Sequence, residues 1–108
     1  MFIAEWGDLA PPTDPTEKKK IGYQIVRVNP QTKQVTPFVY NHINGPASMS
    51  GAKGQGLERP FDVKFGPDGA MYIVDYGQVN INMARTKEGR EPYEYIPNTG
   101  IIWKVTKK

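Results

Sequence analysis

An all-β fold of antiparallel sheets is what this sequence predicts, and three observations predict it. Glycine and proline are abundant, 11 and 10 of 108 residues, which favours turns over long helices. Short stretches of β-branched and aromatic residues alternate with polar ones and are bounded by turn signals. Two different strand-like stretches then recur, in the same order, in the two halves of the chain.

Taken in order, "MFIAEWG" is rich in β-formers and stops at a glycine, so it reads as a strand. "DLAPPTDPTEKKKI" carries three prolines and a charge run and reads as a loop. "GYQIVRVNP" is the next strand, ending at an Asn-Pro turn signal, and "QTKQ" turns the chain into "VTPFVYN". The two strands form a predicted hairpin, with Pro37 marking an edge position or a bulge because proline has no N–H for the ladder. "HINGPASMSGAKGQGLERP" is a long small-residue loop, of a kind that often serves function. In "FDVKF", alternation predicts Phe61, Val63 and Phe65 on one face and Asp62 and Lys64 on the other. "GPDG" is a tight turn into the return strand "AMYIVDYG". "QVNINMARTKEGREPYEYIPNT" is a second long polar insertion, and "GIIWKVTKK" is the last strand.

"MFIAEWG" and "MYIVDYG" share Met, aromatic, Ile, apolar, acid, aromatic, Gly. "GYQIVRV" and "GIIWKV" share an opening Gly and a closing apolar pair, basic residue and Val. The repeating unit is a four-stranded antiparallel meander, the pattern of β-propeller blades. Residues 1–41 supply strands two to four of one blade and 42–57 a loop. Residues 58–108 supply strands one to three of the next, with a long insertion at 78–99. Two incomplete blades leave open sheet edges. The expectation is therefore a single propeller fragment, 1–108, completed by the remainder of a propeller or by self-association, three copies mimicking a ring.

Composition narrows the function classes. With no cysteine there is no disulfide, no thiolate zinc site and no thiol nucleophile. The net charge of +3 is mild, and basic residues cluster only in "EKKK" and the terminal "KK", which is not the footprint of a nucleic-acid binder. No apolar run approaches the roughly 18 residues of a membrane span, and "MFIAEWGDLAPP" lacks the pattern of a signal peptide.

The stretch "ERPFDVKFGPDGAMYIVDYG", with "GYQIVRVNP" before it and "TGIIWKVTKK" after it, resembles the C-terminal part of the soluble quinoprotein glucose/sorbosone dehydrogenases. That resemblance implies a six-bladed propeller, often periplasmic or secreted. It implies pyrroloquinoline quinone on the ring axis, calcium in the intact parent, and oxidation of a sugar at its aldehyde or hemiacetal carbon. In the family a histidine takes the hydroxyl proton as hydride passes to the quinone. Arg59 stands where a family arginine contacts the quinone carboxylates, and Lys20, two residues before Gly22, matches a family lysine. A second family arginine is replaced here by Phe61, and the histidine base belongs to an earlier blade, so no residue of this chain is assigned a catalytic role.

The residues also admit simpler readings. Arg59 is either half of a carboxylate clamp, for which a planar guanidinium is suited, or an arginine that hydrogen-bonds loop carbonyls at the start of a strand. Lys20 reads on its own as a solvated loop lysine, and His42 as an exposed loop histidine. "GAKGQG" lacks the ending of a phosphate loop. Asp68 reads as a turn former, Asp75 and Glu5 as a shared structural pair rather than calcium ligands, and Trp6, Tyr76 and Trp103 as packing between blades. The rival function is a non-enzymatic, propeller-derived module that binds a partner or an oligosaccharide through its loops.

Overall fold

A computed structural model describes residues 1–9 and 19–108. Most of the predicted first loop, 8–21, therefore lies outside the described residues. Among those described, the regular structure is β-strand with two short 3₁₀ turns, at Ala47–Ser50 and Met83–Glu88. The fold is mostly β, with antiparallel sheets that are small and open.

The first sheet has the order β1 (Phe2–Glu5), β2 (Gln24–Val28), β3 (Val35–Tyr40). The β2–β3 turn is closed by Asn29, whose N–H donates to the Gln34 carbonyl at 2.9 Å. Its side-chain oxygen accepts from the N–H groups of Gln31 and Thr32. Pro37 lies on an edge strand, and the register skips Phe38 between the Ile25–Val39 and Val26–Pro37 pairs. Both predicted consequences of that proline, an edge and a bulge, occur together.

The second sheet has the order β4 (Pro60–Phe65), β5 (Met71–Asp75), β8 (Ile101–Val105). The Gly66–Gly69 turn closes with Gly66 N–H on the Ala70 carbonyl, and Asp68 accepts the Ala70 N–H at 3.1 Å. Asp68 also meets Lys104 at 2.9 Å and the Tyr72 hydroxyl at 2.9 Å. The Lys104 and Tyr72 hydrogen bonds lower the Asp68 carboxyl to about 2. The insertion between β5 and β8 is not featureless. It forms its own hairpin of β6 (Val79–Ile81) and β7 (Tyr93–Tyr95), with the Met83–Glu88 turn capped by the Asn82 side chain.

The repeat is visible in the ladder register. Phe2, Ile3, Ala4 and Glu5 pair with Arg27, Val26, Ile25 and Gln24. Their counterparts Tyr72, Ile73, Val74 and Asp75 pair with Lys104, Trp103, Ile102 and Ile101. The apolar pair, basic residue and Val thus occupy the same ladder positions in both sheets. The sheets pack against each other, with β4 against β1 and β2. The core is Ile25, Leu57, Met71 and Ile73, flanked by Phe2, Ala4, Val39, Val63, Trp103 and Val105.

Candidate functional site

Asp75 organises the start of β4. Its carboxylate is buried and accepts the N–H groups of Glu58 (2.8 Å), Arg59 (2.9 Å) and Gly77 (3.0 Å), and the Trp103 indole N–H (3.2 Å). The Tyr76 N–H closes the same junction on the Arg59 carbonyl. Chain held here cannot pair regularly, and the register jumps from Pro60–Asp75 to Asp62–Val74. Phe61 falls in that bulge, is exposed, and meets Tyr76 edge-on at 6.1 Å, so the predicted alternation of β4 breaks at its first aromatic. Glu5, the counterpart of Asp75, accepts only the Gln24 side-chain amide at 2.7 Å among the described residues.

The clamp sends the Arg59 side chain across to the first sheet. Its Nη1 donates to the carbonyls of Asp8 (2.8 Å) and Gly7 (3.0 Å), with Trp6 at 3.5 Å. The guanidinium lies 4.8 Å from the Tyr23 ring centre and 5.7 Å from that of Trp6. Its Nε is buried without a hydrogen-bond partner among the described residues.

Tyr23 reaches that position through unusual backbone. Its φ is +62°, the left-handed region, rare for a bulky residue. It is buried, and its hydroxyl lies 2.6 Å from the Asp8 carbonyl and 2.9 Å from the Asp8 carboxylate. Burial pushes the Tyr23 hydroxyl up to about 12, so it stays protonated. Gly7 makes room, because a Cβ there would lie 2.5 Å from the Tyr23 ring. Asp8 also accepts the Ile21 N–H and faces Lys20 at 3.6 Å.

Lys20 and Arg59, singled out separately in the sequence, line one cleft of about 360 Å³ together with Tyr23, Ser48 and Glu58. The Glu58 carboxylate accepts the Ser48 N–H (2.8 Å) and hydroxyl (2.9 Å). Burial raises its pKa above the ordinary value, against the lowering effect of the two Ser48 hydrogen bonds. His42 is exposed and lines a different cleft, with Asn41, Leu57 and Trp103. Trp6 and Tyr76 do pack between the sheets, edge-on at 5.1 Å, while Trp103 packs on the core. Among the described residues no group of three or more His, Asp, Glu or Cys side chains gathers to hold a metal, and no helix is long and apolar enough to cross a membrane.

Sequence reading missed Tyr23, Glu58 and Asp8. The available signals were a Gly-Tyr pair opposite a Gly-Asp pair, and an acid directly before Arg59. No family model, curated protein or solved structure matches the chain.

Proposed function

We propose that the cleft between the two sheets receives a carboxylate-bearing ligand. The ligand that fits the sequence resemblance is pyrroloquinoline quinone, in a propeller-type assembly related to the sugar dehydrogenases. The observation that carries this reading is the convergence of Lys20 and Arg59 on one cleft, next to a buried Arg59 Nε that has no hydrogen-bond partner among the described residues. A size of about 360 Å³ falls within the range of small-molecule sites. Lys20 supplies a point charge and Arg59 a planar donor, both suited to a carboxylate. A bound quinone would supply the hydride acceptor for oxidation of a sugar. The chain's own residues would grip it at one end and exclude water with Leu9, Met49 and Ile81. Calcium and the proton-accepting base would come from elsewhere in such an assembly.

Calorimetric titration of pyrroloquinoline quinone into the folded chain tests this. Saturable binding is expected, weakened by about 1.5–3 kcal/mol in Arg59→Ala, the range for hydrogen bonds to charged groups, and by at least about tenfold in Lys20→Met. Absence of saturable heat with the folded wild-type chain overturns the reading.

One observation favours a second, non-enzymatic reading. The Arg59 Nη1 is already engaged by the carbonyls of Gly7 and Asp8, so the side chain ties the sheets together whether or not a ligand binds. A binding or oligomerisation module built on two blades needs nothing more from Arg59.

A further inference from the structure

The repeated register fixes which side of each sheet is used. In the first sheet, Phe2, Ala4 and Ile25 face the core. Their ladder counterparts in the second sheet are Tyr72, Val74 and Ile102. These lie on the opposite side of that sheet from Ile73, Trp103 and Met71, because side chains alternate along a strand. The converse holds as well. The core-facing Ile73 and Trp103 correspond to Ile3 and Val26, which lie on the outer side of the first sheet. The sheets are therefore stacked front to back, like plates turned the same way, rather than related by a twofold axis.

Exposure follows this arrangement. Ile25 is 0% exposed and its counterpart Ile102 is 70% exposed; Ile73 is 0% exposed and its counterpart Ile3 is 42% exposed. On the outer side of the first sheet Val26 is itself covered, at 3% exposed, so the free part of that face is its Ile3 edge. The free surfaces around Ile102 and Ile3 are repeat copies of surfaces buried against each other in the same molecule. Among the described residues each sheet has two edge strands, β1 and β3 in the first and β4 and β8 in the second.

We propose that the outer face of the second sheet, around Tyr72, Val74 and Ile102, docks on the outer face of the first sheet, around Ile3, of a second copy of this chain. The contact repeats the packing already made between the two sheets. Such an interface is heterologous: each copy offers two different faces, and assembly proceeds head to tail until the rotation closes a ring. The partner is a second copy because the complement that Ile102 needs, a surface like that of Met71 and Ile73, has its ladder equivalent on this same chain at Met1 and Ile3. The inference stands independently of what the Lys20–Arg59 cleft binds.

Two exposed substitutions test it, Ile102→Glu and Ile3→Glu, by sedimentation velocity of the full chain, with circular dichroism to verify folding. Wild type is expected to sediment, in a concentration-dependent way, above the 12.1 kDa of one chain. Each variant alone should be monomeric. An equimolar mixture should form a two-chain species that grows no further, because each variant keeps one good face. If either glutamate variant loses its fold, Ile102→Thr and Ile3→Thr replace the pair. A monomeric wild type overturns the proposal. So does association that survives both substitutions, which would belong to strand edges, or a mixture that stays monomeric.

Discussion

Replacing Asp75 by Asn removes one acceptor oxygen and changes little else in shape. In the structure, Oδ1 accepts the N–H groups of Arg59 and Gly77, while Oδ2 accepts the Glu58 N–H and the Trp103 indole N–H. Whichever oxygen becomes NH₂, two buried donors lose their acceptor and face another donor. A buried polar group left unsatisfied costs about 1–3 kcal/mol, so two cost roughly 2–6 kcal/mol. Total stability for a domain of this size is about 5–15 kcal/mol. Each kcal/mol shifts the melting midpoint by about 4–8 °C in domains of 60–100 residues, so Asp75→Asn should lower it by about 8 °C or more. The control is Glu5→Gln at the equivalent position. There the carboxylate accepts one side-chain amide, and the change should cost less than about 1 kcal/mol. Thermal and urea unfolding of both variants measure the difference. If Asp75→Asn melts within about 1 kcal/mol of wild type, Asp75 is not the clamp that positions Arg59.

Two further outcomes follow from the cleft. Burial raises the Glu58 pKa, so the folded state favours its protonated form. That contribution is full below the ordinary Glu value of about 4.3 and is lost as pH rises through the raised folded value. Glu58→Gln, which keeps an acceptor for the Ser48 N–H, should therefore melt higher than wild type at pH 7, with the difference shrinking toward pH 4; an equal difference at both pH values refutes the assignment. Gly7→Ala combines a φ of +101° with a Cβ 2.5 Å from the Tyr23 ring and should cost about 2–3 kcal/mol, whereas Gly51→Ala, at φ +77° in open space, should cost about 1 kcal/mol by chemical denaturation.

The strands and their repeat were legible because their signals are local. Alternation places Ile73 and Trp103 on one side and Val74 and Ile102 on the other, and "GPDG" carries its own turn chemistry. The cleft was only partly legible. Arg59 and Lys20 could be picked out singly, but their meeting depends on contacts such as that of Arg59 with the Gly7 carbonyl, 52 residues away. Nothing in "IGYQ" announces a tyrosine with left-handed backbone, since that conformation is imposed by packing on Gly7. The Phe61 bulge escaped because alternation ignores a carboxylate that holds the preceding N–H groups. The strands of the insertion, "VNI" and "YEY", are three residues each and too short to show a period.

The Arg59 bridge has a consequence for how the molecule opens. Each sheet is made from its own stretch of chain, and each carries one tryptophan, Trp6 beside the first and Trp103 within the second. Two such halves could exchange their amide hydrogens as separate cooperative units, each opening at its own free energy. A guanidinium anchored on one side by Asp75 through its backbone, and on the other by the Gly7 and Asp8 carbonyls, joins them. The amides of β2 and β5 should consequently show one common protection level, and release of that single side chain should split it into two.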